Sequence, residues 1–181
     1  MKNFFLFILE ISKIVALALL VVLPIRYFVF QPFYVKGESM EPNFSNGDYL
    51  IIDEMSYRLR EPARGEVIVF RYPNDPSQRY IKRIIGLPGE TVEISDGQII
   101  IYNEAGEKSI LEESYLPDTI STNWSKKMVL GLEEYFVLGD NRMASADSRR
   151  WGSLPRENII GRALLRAWPP TALAKIEAPA Y

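Results

Sequence analysis

Thr91-Val92-Glu93-Ile94-Ser95-Asp96-Gly97-Gln98-Ile99-Ile100-Ile101-Tyr102-Asn103 is the stretch that decides the fold class. Two short runs rich in β-branched residues flank Asp96-Gly97. A type I′ turn needs positive φ at its central positions, which glycine supplies at little cost, so the stretch reads as a β-hairpin. Outward from it the same grammar repeats, with short β-rich runs at 48–53, 66–72, 79–86, 135–138 and 159–167 punctuated by turn residues. The chain beyond Pro32 is therefore mostly β, an antiparallel-sheet domain. Pro62, Pro73, Pro76, Pro88 and Pro155 are expected between strands, where a sheet tolerates them. The polar, aperiodic stretch 105–131 is too long for an ordinary loop and is read as part of a small inserted β lobe, about 93–133.

The chain has 181 residues, enough for one core plus an anchor. With 48% hydrophobic and 12% aromatic residues it is a folded protein and not a disordered one. Its net charge of -2 and lack of a basic run leave nucleic acid without electrostatic support as a partner. Histidine and cysteine are both missing. That removes a Ser-His-Asp triad, a cysteine nucleophile, disulfides and the usual zinc sites at once. No metal or cofactor is expected. For nucleophilic chemistry a hydroxyl and a lysine remain, with carboxylates as the other possible bases.

At the N-terminus, Phe4 to Leu9 and Ile14 to Phe30 are almost wholly apolar and together exceed the roughly 20 residues that span a bilayer. Residues 1–31 are expected to be a short cytoplasmic end and one transmembrane helix, with 32–181 forming an extracytoplasmic domain. Arg26 can snorkel to the headgroups beside Pro24 near the outer end. Glu10 and Lys13 either pair across one helical turn or mark where the span begins. A cleaved secretory signal is the competing reading, but Arg26-Tyr27-Phe28-Val29-Phe30-Gln31-Pro32 offers no small-x-small cleavage site.

Three segments could carry chemistry. Gly37-Glu38-Ser39-Met40-Glu41-Pro42 puts Ser39 in a turn among apolar neighbours, although a serine there is as readily structural. In Tyr80-Ile81-Lys82-Arg83-Ile84-Ile85, strand periodicity sets Tyr80, Lys82 and Ile84 on one face. Partial desolvation there would lower the Lys82 pKa, whereas the bland reading is a surface lysine beside Arg83. The third, Gly139 to Arg149, is either a surface loop held by Asx turns or the wall that orients the lysine.

In this order, and behind an apolar N-terminus, the three segments resemble the boxes of the type I signal peptidases. Ser39-Met40-Glu41-Pro42 matches the family's Ser-Met-x-Pro, Lys82 to Glu90 its lysine box, and Gly139-Asp140-Asn141-Arg142 with Ser145, Asp147, Ser148 and Arg149 its late box. The resemblance covers most of the chain. It implies a membrane-anchored serine endopeptidase that removes signal peptides from exported preproteins after small residues, on the outer side of the cytoplasmic membrane. The expected partners are thus preproteins and the lipid bilayer. Ser39 would be the nucleophile, Lys82 its base and Ser145 the hydroxyl that orients the lysine. Arg83 with Asp140, and Asp147 with Arg149, would be supporting ion pairs, and Phe33, Val35, Met40, Tyr80 and Ile81 would line the substrate pockets. Four positions depart from the common pattern: Gly37 in place of an oxyanion-binding serine in one branch, Asn43 in place of threonine, and Met143-Ala144 in place of an Asp-Asn pair. Two other readings compete, a peptidase dedicated to one partner and an inactive peptide-binding β domain.

Overall fold

The computed structural model describes residues 2–28, 30–117, 119–179 and 181, without the side chains of residues 2, 3, 5, 6 and 21–30. It opens with α1 (Lys2–Phe28) and continues into β1 (Phe30–Tyr34), β2 (Tyr49–Asp53), β3 (Val67–Tyr72), β4 (Asp75–Gly86), β5 (Thr91–Ser95) and β6 (Gln98–Tyr102). Next come β7 (Lys108–Ile110), β8 (Lys126–Val129), β9 (Glu134–Leu138), α2 (Ser148–Trp151), β10 (Leu154–Pro155), β11 (Ile159–Trp168) and β12 (Ala174–Lys175). The larger sheet runs β1-β2-β11-β3-β4-β9-β10, with β12 added to β11, and the smaller runs β7-β6-β5-β8. Its described pairings are antiparallel.

The hairpin forms with Ser95 opposite Gln98, and both turn residues have positive φ, Asp96 at 53° and Gly97 at 79°. β7 and β8 extend it on either side, drawing their residues from the stretch that shows no strand periodicity in the sequence. Their side chains are largely exposed, so no alternation of apolar and polar residues marks them.

Tyr135-Phe136-Val137-Leu138 shows why continuous apolar runs form the central strands. Tyr135 and Val137 enter one core with Phe70, Ile84 and Leu154, while Phe136 and Leu138 enter another with Val92, Ile94 and Ile99. A strand covered on both faces needs no polar alternation. A third core, around Val35, Met40, Phe44, Leu50, Val67 and Val69, fills the opposite face of β3.

One expectation is corrected. Pro76 and Pro155 lie inside strands, at the second position of β4 and the end of the two-residue β10. Both are places where a missing N–H does not interrupt a ladder flanked on both sides: the start of β4 pairs with β3 alone, and β10 is a sheet edge. For the expected span, α1 is a continuous 27-residue helix, yet among the described residues no helix is long and apolar enough to cross a membrane. The side chains of Pro24 and Arg26 lie outside the described ones.

Phe136 is fully buried between the two sheets and packs against Trp124 with ring centroids 5.5 Å apart. Phe136→Ala is expected to lower the unfolding free energy by about 3–5 kcal/mol, measured by urea denaturation.

Candidate active site

The turn that carries Ser39 is pinned from below. Met40 is 1% exposed and inserts into the core with Val35 and Phe44, which fixes the backbone on which Ser39 stands. The N–H of Gly37, at φ +85°, donates to Asn46 Oδ1, and Phe44 N–H donates to Met40 O. Positive φ at residue 37 favours glycine, which gives Gly37 a conformational reason to be there.

Lys82 reaches this turn from β4. Its Nζ lies 2.7 Å from Ser39 Oγ and 2.7 Å from Ile81 O, and 5.7 Å from the centroid of the Tyr80 ring. The Tyr80 contact is the shared strand face that the sequence periodicity predicts. Lys82 is only 3% exposed. Burial strips the ammonium of water and lowers its pKa to about 8, although the carboxylates of Asp147 and Asp140 pull the other way.

Those carboxylates are themselves occupied. Arg83 donates to Asp140 in bidentate fashion, Nε to Oδ1 at 2.9 Å and Nη2 to Oδ2 at 2.7 Å. Arg149 does the same to Asp147 through Nε and Nη2, both at 2.8 Å. Burial favours the neutral Asp147 carboxyl, but the Arg149 bonds outweigh it and hold that carboxyl below its ordinary range. Asp147 also accepts from Gly139 N–H at 3.1 Å and caps α2 through Arg149 N–H.

Several bonds tie the late loop to the serine turn: Asn141 N–H donates to Ser39 O and Asn141 Nδ2 to Glu38 O, both at 3.1 Å. Gly139 lies so close that an added Cβ would stand 2.4 Å from Ser39 O and 2.2 Å from Ser145 Oγ. A side chain at 139 would therefore push these two segments apart. Ser145 is buried beside this contact; its hydroxyl favours the charged Asp147 carboxylate, but its Oγ makes no bond of ordinary geometry among the described residues, and no Ser145–Lys82 bond is made in this structure.

The expected pocket residues divide. Phe33, Tyr80 and Ile81 line a cleft of about 510 Å³ together with Ser39 and Lys82, whereas Val35 and Met40 lie in the core beneath it. Two strand edges face each other across this cleft. β1 is an end strand, and β4 gains its second neighbour, β9, only from Arg83 onward.

The sequence reading missed the contribution of 105–131. Glu113 takes two bonds from buried Arg142, at 2.6 and 2.5 Å, and Arg142 also bonds Thr122, the Tyr115 hydroxyl and Gly139 O. Arg83 stacks over the Tyr115 ring at 4.0 Å. Asn43 donates to both Asp140 Oδ2 and Tyr115 O, which gives this departure from the family pattern a structural role. Clustered polar residues without periodicity carry no sequence signal for such long-range bonds.

A family model described as "Signal peptidase, peptidase S26" matches residues 8–168. A signal peptidase I of Leptolyngbya laminosa is 39% identical over 180 residues, covering 95% of this chain and 85% of its own. A probable signal peptidase I of Synechocystis is 40% identical over 89% of this chain and 73% of its own, and a signal peptidase I of Pseudomonas fluorescens is 31% identical over 93% and 76%. The boxes around Ser39, Lys82 and Asp140 all fall within the matched span, and the chain belongs to the signal peptidase family, peptidase S26.

Proposed function

We propose that this protein is a signal peptidase I, a serine endopeptidase that cleaves signal peptides from exported preproteins, with Ser39 and Lys82 as its reacting pair. The observation that carries the assignment of this pair is the 2.7 Å approach of a buried, partly neutral amine to a hydroxyl at the floor of a cleft.

Neutral Lys82 Nζ accepts the Ser39 Oγ proton as Oγ attacks the scissile carbonyl carbon. The tetrahedral oxyanion is met by the Ser39 backbone N–H. The Lys82 ammonium then gives its proton to the departing amine, leaving an acyl-enzyme on Oγ. Water enters, loses a proton to Nζ, attacks the ester and releases the carboxylate with Ser39 restored. Ser145 is assigned as the hydroxyl that aims Nζ in this cycle, on the ground that it is buried beside Gly139 and makes no bond of ordinary geometry there. Arg83–Asp140 and Asp147–Arg149 hold the walls.

The substrate is read as an extended strand laid between the open edges of β1 and β4, so that main-chain bonds hold it and alternate side chains enter the cleft. Phe33, Tyr80 and Ile81 would leave room for small side chains before the cut.

Residues 1–31 are read as a single-pass anchor, with 32–181 as the extracytoplasmic catalytic part and about 93–133 as its inserted lobe. In support, the 27-residue α1 is about 40 Å long at 1.5 Å per residue, against a hydrocarbon core of about 30 Å. Its described apolar side chains, from Phe4 to Leu20, are exposed around the helix. The chain is expected to stay with the membrane pellet through alkaline carbonate extraction, and its release would contradict the anchor.

Incubation with a preprotein, followed by N-terminal sequencing of the product, tests the activity. Ser39→Ala and Lys82→Ala are each expected to reduce cleavage at least about a thousandfold. Lys82→Arg should be equally inactive, because guanidinium stays charged. Activity should rise about tenfold per pH unit below the Lys82 pKa, near 8, and level off above it. A rate flat from about pH 6 to 10 would exclude a lysine base.

A further inference from the structure

Beside the cleft, whose lining includes Arg79, the sheet carries an arrangement that the peptidase chemistry does not use. Arg71 of β3 and Arg79 of β4 stand directly opposite each other in the antiparallel ladder. Like charges in that position destabilise a sheet unless an anion joins them. Arg58 lines the same depression of about 270 Å³, with Gln31, Glu54 and Arg156. Arg156 is already bonded to Glu61. Arg58, Arg71 and Arg79 make no ion pair among the described residues, so the one carboxylate of Glu54 leaves the depression positive. A buried oxygen of Glu54 also lacks a hydrogen-bond partner.

Guanidinium groups present planar pairs of donors that fit phosphate oxygens. The position narrows the source of such a phosphate. Gln31 is three residues beyond the last residue of α1, a chain length of about 10 Å. We propose that Arg58, Arg71 and Arg79 form a seat for the phosphate of an anionic phospholipid headgroup at the point where α1 leaves the bilayer. This rests on the reading of α1 as an anchor. The seat would fix the rotation of the domain about the anchor and so the direction in which the cleft faces the membrane surface.

The test uses the full chain in a neutral detergent, titrated calorimetrically with dihexanoyl phosphatidylglycerol below its micellar concentration, then with dihexanoyl phosphatidylcholine and with inorganic phosphate. Phosphatidylglycerol should bind saturably, and more tightly than either comparator. The Arg58→Gln/Arg71→Gln variant should bind it about tenfold or more weakly, while cleaving a soluble signal-peptide substrate at the wild-type rate. Arg71→Gln alone, which breaks the opposed pair, should show the same direction of change. Equal binding by wild type and variants, or inorganic phosphate binding as tightly as phosphatidylglycerol, would overturn the proposal. A chain that resists carbonate extraction but does not bind phosphatidylglycerol would lack this seat and keep its anchor. A chain released by carbonate would lose the anchor reading whatever the titration gives.

Discussion

An amine buried to 3% exposure at the floor of a cleft is the constraint around which the rest of the site is built. In water the Lys82 ammonium would dominate up to a pKa of about 10.4, and an ammonium cannot take a proton from serine. Withdrawing it from solvent disfavours the charged form, by roughly 3 kcal/mol net of the nearby carboxylates, the equivalent of a pKa near 8. The penalty comes from the apolar strand neighbours and from the serine turn that closes over the amine. A site without histidine depends on it.

Two nearby carboxylates act against this penalty, and the way they are held explains why they do not cancel it. Asp140 and Asp147 would each favour the ammonium. Each is already gripped by two guanidinium bonds, from Arg83 and Arg149, so the field at Nζ comes from ion pairs and not from bare anions. The same pairs fix the late loop, whose Asn141 fastens the serine turn. Glu113 and Tyr115 brace that loop from the far side through Arg142 and Arg83, so a segment from the smaller lobe takes part in the geometry of the cleft.

The legible part of this structure was the part that obeys local rules. Asp96-Gly97 specified its hairpin because positive φ selects for glycine, and the runs around Phe70, Ile84 and Val137 specified central strands because both faces are covered. Lys82 shared a face with Tyr80 as strand periodicity requires. β7 and β8 were not legible, since their exposed side chains leave no alternation, and neither was the Glu113–Arg142 bond, which joins residues 29 positions apart in sequence. Val35 and Met40 illustrate another limit. An apolar residue beside a reactive serine can face the cleft or the core, and here the turn directs both downward.

The most direct measurement is of the amine itself. Lysine labelled with ¹³C at Cε, titrated by NMR in the folded Ser39→Ala protein and assigned by comparison with Lys82→Arg, reports the protonation of Lys82 without reference to turnover. The account predicts one lysine resonance that titrates near pH 8 and is lost in Lys82→Arg. A Lys82 resonance that titrates near the ordinary value of about 10.4 would contradict it.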